Sequence, residues 1–189
     1  MDLADGELVA LAQAGDRDAV QQLLERYERR VLAAIVGMVR NPEDAREILQ
    51  ETFVRVFRNL DTFKGESSFY TWVYRIAMNL AIDHQRRSAK RPVIEFDDAV
   101  GLDDDAVGGG SATLGIDPFQ NVRSRQLGRK IFDAIESLTP DHRAVILLRE
   151  IDGLSYEEIS EALGCSIGTV MSRLHYARKK LQTRLEETL

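Results

Sequence analysis

Cysteine is almost missing. Cys165 stands alone, which excludes an internal disulfide and a thiolate-rich zinc cage. It follows an apparent helix end and reads as a small buried filler. Long apolar runs are missing too. Nothing approaches eighteen consecutive apolar residues, so no membrane-spanning helix is expected. The opening stretch MDLADGELVALAQAG is acidic and lacks the basic start of a secretory signal. A cytoplasmic protein is the expectation. The three histidines, His84, His142 and His175, are scattered, and no glycine-rich phosphate loop or metal-ligand spacing is present. That pattern predicts no enzyme, no cofactor, no metal and no small-molecule substrate. His84 has no second ligand in view and is read as a surface residue. Convincing strand alternation is also absent.

Acids exceed bases, 31 against 25, for a net charge of −6. Taken whole, that argues against a polyanionic partner. The distribution reverses the reading. Val93 to Pro118 holds seven acids and no base. Setting those seven aside leaves the rest of the chain at +1. Lys64 to Pro92 has six bases against two acids, and Ser166 to Arg184 has five bases and no acid. Local fields decide where a polyanion docks.

Residues 93–117 combine the acid run with Gly108-Gly109-Gly110-Ser111 and show no helical or strand period, as a flexible linker does. Helical patterns lie on both sides. The expected fold is all-α: two small helical domains, 1–92 and 118–189, joined by the acidic flexible linker 93–117. Three of the four prolines follow a good cap residue: Asn41-Pro42, Asp117-Pro118 and Thr139-Pro140. The cap accepts an orphan N–H, and proline at the first helical position has no N–H to orphan. Ser155-Tyr156-Glu157-Glu158 reads as a capping box, and Asp5 and Asp16 as further caps. Apolar residues three and four apart mark one face of each helix. The face is Val20, Leu23, Leu24, Tyr27, Val31, Ile35 and Met38 over 16–40. It is Ala45, Ile48, Leu49, Thr52, Phe53, Val56 and Leu60 over 42–60, and Phe69, Val73, Ile76 and Leu80 over 68–87.

Residues 139–181 carry the sharpest local motif. The pattern predicts one helix from Asp141 to Glu150, a break at Asp152-Gly153, and a short helix capped by Ser155. A left-handed turn at Gly164 and a last helix capped by Ser166 follow. In the last helix Val170, Leu174, Ala177 and Leu181 face inward. Ser166, Thr169, Ser172, Arg173, Tyr176, Lys179 and Lys180 face outward. A support helix, a glycine turn and a basic second helix make a helix-turn-helix. Such a helix fits the major groove of DNA, where arginine grips guanine and serine or threonine meets base edges. Lys179, Lys180 and Arg184 suit phosphate attraction. The alternative is a helical hairpin with a solvated basic face, although exposed helices usually mix signs.

Helix 42–60 carries Glu43, Asp44, Glu47 and Glu51, with Gln50 and Val54 alongside. Acids favour a helix N-terminus, so a solvated helix start explains this patch as well as a basic partner does. Next come the turn-rich loop Phe63-Lys64-Gly65-Glu66-Ser67-Ser68 and a helix with Tyr70, Trp72, Tyr74, Arg75, Asn79, Arg86 and Arg87. Aromatics beside bases suit single-stranded DNA, because stacking and phosphate attraction add. Aromatics at helical spacing also build cores. Phe69 is expected inside, and Trp72 fits either place.

These segments resemble a known family. AREILQETFVRVFRNL, from Ala45 to Leu60, with DTFKGESSFYTWVYRIAMNLAIDHQRR, looks like the second conserved region of extracytoplasmic-function sigma factors of bacterial RNA polymerase. ESLTPDHRAVILLREIDGLSYEEISEALGCSIGTVMSRLHYARKKL looks like their fourth. The resemblance implies a promoter-specificity subunit that binds core RNA polymerase. Asp44, Glu47, Gln50, Glu51 and Val54 would dock on the β′ clamp, and the C-terminal domain on the β flap. Phe63, Lys64, Gly65, Ser67 and Ser68, with Tyr74 and Asn79, would hold the opened −10 element. Arg75, Arg86 and Arg87 would contact that strand or its phosphates. Ser166, Thr169, Met171, Ser172, Arg173, His175, Tyr176, Arg178 and Lys179 would read the −35 element. The linker would thread toward the polymerase cleft and RNA exit path. An anti-sigma factor, in this family often membrane-anchored, would be a further partner. Free or inhibited, two domains on a long linker can fold together and hide both surfaces. The chain departs from its relatives at Ser166, where many have proline, and at Met171 and Tyr176, where many have bases. A plain helix-turn-helix regulator would leave the tryptophan–arginine helix and the acidic patch unexplained.

Overall fold

The computed structural model describes residues 3–88 and 118–187, with side chains of the second stretch from Leu127 onward. The linker 93–117 read from the sequence lies outside the described residues. Every regular element among the described residues is helical, as expected.

The first stretch holds α1 (Asp5–Gln13), α2 (Arg17–Val39), α3 (Pro42–Asn59), a 3₁₀ turn (Leu60–Thr62) and α4 (Phe69–Ser88). Local chemistry sets the starts. Asp16 Oδ1 accepts the N–H of Asp18 and Ala19 at 2.9 and 3.2 Å. Asn41 Oδ1 accepts that of Glu43 at 2.8 Å, with Pro42 opening α3. The α2 stripe packs inward, with Leu23, Val31, Ile35 and Met38 at 1% exposure or less. Asp5 does not cap α1. Ala4 holds that position, and the Glu7 carboxylate accepts its N–H at 2.9 Å. Asp5 instead accepts from Arg26 and Tyr27, tying α1 to α2.

The second stretch holds α5 (Pro118–Glu136), α6 (Pro140–Ile146), a π turn (Leu147–Ile151), α7 (Tyr156–Leu163) and α8 (Ile167–Glu186). The single helix expected from Asp141 to Glu150 is therefore two pieces. The wider π turn lets both Leu147 and Leu148 enter the core, at 2% and 0% exposure. The capping box at Ser155 forms, its hydroxyl accepting from Glu158 N at 3.1 Å and Glu158 Oε2 from Ser155 N at 2.8 Å. Gly164 adopts φ +60° at the end of α7, the left-handed conformation that glycine takes without strain. Two smaller expectations are corrected. Cys165 is half-buried rather than a core filler. His84 is half-buried where α4 packs on α3, its Nε2 3.6 Å from Asp44.

The two stretches share one continuous core. Helices α6 and α7 lie against α4. Leu147 fits against Gly37 of α2, where an added Cβ would stand 3.0 Å from both Leu147 methyl carbons. Arg143, 5% exposed, donates to the Met38 carbonyl at 2.6 Å and to the Glu136 carbonyl at 2.5 Å. Arg40 ends α2 at φ +66° and ψ −44°, a sparsely populated conformation that costs about 1–3 kcal/mol in a non-glycine residue. Its guanidinium pairs with Asp133 at 2.9 Å and Glu136 at 2.8 Å.

Tyr74 is fully buried in this seam. Its hydroxyl lies 2.9 Å from the Arg30 carbonyl and 2.9 Å from Asp152 Oδ1. The Tyr70 hydroxyl lies 3.4 Å from the same carboxylate oxygen. Arg30 covers the Tyr70 ring at 4.0 Å. Tyr74 has one hydrogen for two acceptors, and Asp152 Oδ2 is buried with no hydrogen-bond partner. Burial raises the Asp152 pKa above the usual carboxylate range, against the Tyr74 hydrogen bond and the Arg30 charge. Burial also pushes Tyr70 up to about 12, so that phenol stays protonated at neutral pH.

A raised pKa in the folded state means that folding favours the protonated acid. That contribution is complete below the ordinary carboxylate pKa. It is lost as pH rises through the raised value of Asp152. The wild-type chain should therefore lose stability over that window relative to Asp152→Asn, whose amide does not titrate. Thermal midpoints against pH for the two proteins measure this, and parallel curves would contradict it.

Candidate nucleic-acid and protein interfaces

Three surfaces collect the residues singled out in the sequence. The first is the outer side of α3. Glu47, Gln50 and Glu51 are exposed, and Val54 is 42% exposed. Glu51 accepts from Arg55 at 2.7 Å one turn on, and Asp44 is half-exposed beside His84. One residue was missed. Phe57, 60% exposed, continues this side one turn beyond Val54. Its signal was an aromatic lying off the apolar stripe.

The second surface is the loop before α4 and the open side of that helix. The Gln13 side chain holds the loop, donating to the carbonyls of Leu60 and Phe63, both at 2.9 Å. Phe63 packs on Phe69 and Trp72, with ring centroids 5.6 and 5.2 Å away. Lys64, Gly65 and Glu66 project into solvent, and Gly65 turns the chain at φ +73°. Ser67 is half-buried, and its hydroxyl lies 3.4 Å from the Ser68 carbonyl. Ser68 has a structural duty that the sequence reading did not give it. Its Oγ accepts the Thr71 N–H at 3.0 Å, at the start of α4. Arg75 and Asn79 are exposed four residues apart on one side, and Arg87 is exposed at the end. Asn79 lies ten residues beyond Phe69, about 15 Å along the axis at ~1.5 Å per residue. Asp83, an acid one turn past Asn79, is exposed too. Arg86 donates toward Asp141 of α6 at 3.3 Å. Tyr74 does not join this surface, since it is inside the seam.

The third surface is α8, set by the turn at Gly164. The Ser160 hydroxyl donates to the Cys165 carbonyl at 2.5 Å and fixes the angle between α7 and α8. Ser166 Oγ accepts from Thr169 N at 3.1 Å and opens the helix. Val170, Leu174 and Ala177 are at most 1% exposed. The opposite side shows Met171, 53% exposed, and Tyr176, 63% exposed, with Ser172, His175 and Lys179 also open. The arginines differ from these. Arg173 is half-buried, 3.6 Å from Asp141 and 3.9 Å from the Cys165 sulfur. Arg178 donates to Glu150 at 2.6 and 3.1 Å. This pairing raises its pKa further. Lys180 donates to the Ser137 carbonyl at 2.5 Å. Among the described residues, no group of His, Cys, Asp and Glu could hold a metal ion. No described helix is long and apolar enough to cross a membrane.

Known proteins resemble this chain along most of its length. The family Sigma-70 region 2 matches residues 23–91, and Sigma-70, region 4, matches residues 128–181. The chain is 36% identical over 185 residues to an ECF RNA polymerase sigma-E factor of Haemophilus influenzae, covering 97% of this chain and 96% of the relative. It is 38% identical over 184 residues to the Escherichia coli K12 protein of the same description, covering 97% and 95%. Among solved structures, CnrH in complex with the cytosolic domain of CnrY superposes with a TM-score of 0.69 at 25% identity, covering 97% of both chains. The sigma factor RpoE in complex with the anti-sigma factor NepR from Bartonella quintana gives 0.62 at 25% identity, covering 88% of this chain and 96% of that one.

Proposed function

Because the chain belongs to the ECF sigma factors of the sigma-70 family, we propose a division of labour among its three surfaces. The protein is a promoter-recognition sigma factor for RNA polymerase. Residues 1–92 and 118–189 act as two working domains, with 93–117 as the connection. The acidic side of α3 docks on the β′ clamp of core polymerase through Asp44, Glu47, Gln50, Glu51 and Val54. Exposed Phe57 extends that patch. The C-terminal domain meets the β flap. The loop Phe63–Ser68 and the open side of α4 take the unpaired −10 strand. Arg75, Arg86 and Arg87 attract its phosphates, and Asn79 offers an amide donor and acceptor to a base edge. Helix α8 enters the major groove at −35.

One observation supports this reading most. Each of the two matched family regions carries its own exposed basic helix side, α4 in the first and α8 in the second. The site of action is the cytoplasm, where core polymerase and promoter DNA are. A protein antagonist is a further partner. CnrH is solved with the cytosolic domain of CnrY and RpoE with the anti-sigma factor NepR, and a similar fold offers a similar target.

Two experiments separate the roles. Arg173→Ala should cost about 1–3 kcal/mol at the base pair it contacts, whereas Lys179→Ala should weaken all duplexes alike. Promoter selection among randomised −35 sequences measures both. An unchanged sequence preference in Arg173→Ala would show that the reading side of α8 is misassigned. Asn79→Ala should leave core binding and −35 binding intact and reduce open-complex formation. Permanganate footprinting of bubble thymines reads that step. Normal footprints, or an equal loss on duplex without a −10 element, would remove Asn79 from the role.

A further inference from the structure

No residue of α1 is assigned to polymerase or DNA, yet its last one holds the loop before α4. Gln13 closes α1, and its amide nitrogen donates to the carbonyls of Leu60 and Phe63, both at 2.9 Å. A side-chain amide nitrogen carries two hydrogens, and both are used. The Leu60 carbonyl also accepts the Phe63 N–H at 3.0 Å, so Gln13 braces a turn that the backbone has already closed. Phe63 is where the chain enters the loop Phe63–Ser68. We infer that Gln13 is a positioning residue for promoter opening: it fixes the entry of that loop, so that the loop meets the unpaired −10 strand already in shape. The inference rests on the assignment of the loop to that strand.

With Gln13 in place, both ends of the loop are held. At the entry the Phe63 ring packs on Phe69 and Trp72, 5.6 and 5.2 Å between centroids. At the exit Ser68 Oγ accepts the Thr71 N–H at 3.0 Å. Between these points Lys64, Gly65 and Glu66 project into solvent. A loop ordered before its ligand arrives is spared the ordering cost at binding. The brace is itself anchored. A helix of nine residues is marginal alone, and α1 is held on α2 by its buried Leu8, Val9 and Ala12. Asp5 accepts from Arg26 at 2.5 Å and from Tyr27, and Arg26 donates to the Leu3 carbonyl at 2.9 Å. The Tyr27 ring lies 5.9 Å from that of Phe69. One aromatic cluster therefore anchors α1 at its start and supports the loop that α1 grips at its end.

Gln13 is exposed, so its replacement leaves the core intact. Gln13→Met keeps the length of the side chain and removes both donors, whereas Gln13→Lys keeps donors. Wild type and variants are each assembled with core polymerase. The holoenzymes are titrated with a fluorescent non-template −10 strand selected from a randomised pool, and with the same strand carrying one abasic site at each position in turn. The readout is the ratio of intact to abasic affinity, which phosphate attraction by an added lysine leaves alone. The wild type should show a sharp loss at the position whose base the loop holds. Gln13→Met should shrink that ratio about three- to tenfold, because the loop must then be ordered by the base itself. Helicity by circular dichroism, core binding and −35 duplex binding should not change, and Gln13→Lys should keep the ratio. An unchanged ratio in Gln13→Met overturns the brace. So does an equal loss in both variants, which a merely structural amide would give. Should Gln13→Met lose helicity, Gln13→Glu, which sets a carboxylate against two carbonyl oxygens, is judged by the same criteria. A wild type indifferent to every abasic site would instead overturn the assignment of the loop to the −10 strand.

Discussion

Tyr74 has one hydroxyl hydrogen, no exposure to solvent, and two oxygen neighbours contributed by different parts of the chain: the Arg30 carbonyl of α2 and the carboxylate of Asp152, which follows the π turn. That contact makes α4 a helix with two buried sides. Phe69, Val73 and Leu80 fill the core with α2 and α3, while Tyr70 and Tyr74 receive the C-terminal half. The side left to solvent carries Arg75, Asn79, Asp83, Arg86 and Arg87. Buried polar groups are costly unless paired, and here the pairing is incomplete, since Asp152 Oδ2 has no partner.

Charge follows the same economy. The net −6 of the chain hides two basic surfaces, and the structure places acids from elsewhere in the sequence against them. Asp141 meets Arg86 and Arg173, and Glu150 meets Arg178. On α8 the exposed residues include Met171, Ser172, His175, Tyr176, Arg178, Lys179 and Lys180, a mixed neutral and basic set. Arg173 and Arg178 are paired within the chain, while Lys179 is open to solvent.

Helices buried on one side were legible in the sequence. The α2 and α3 stripes, the caps at Asp16, Asn41, Thr139, Ser155 and Ser166, and the Gly164 turn follow from local rules. Helix α4 was read in part, because Ala77, Met78, Ala81 and Ile82 are buried beyond the expected stripe. A helix apolar nearly all round is buried on more than one side, and that signal was present. The π turn at Leu147–Ile151 had no local signature. The candidate surfaces were legible as charge and aromatic patterns. Their internal pairing was not, since Arg86 and Asp141 are 55 residues apart and Tyr74 and Asp152 are 78 apart. Pairs at that separation depend on how two helical units dock, which no short-range pattern encodes.

In this structure the sides of α4 and α8 assigned to the two promoter elements meet at Asp141, which lies 3.3 Å from Arg86 and 3.6 Å from Arg173. The direct measurement is the distance between α3 and α8 by single-molecule energy transfer. Dyes go on cysteines placed at exposed Arg58 and Gln182, with Cys165→Ser removing the native thiol. One short distance is expected in the free protein, and a shift of several tens of ångströms when core polymerase and promoter DNA are added. A long distance in the free protein, or a short one that persists in the promoter complex, would contradict it.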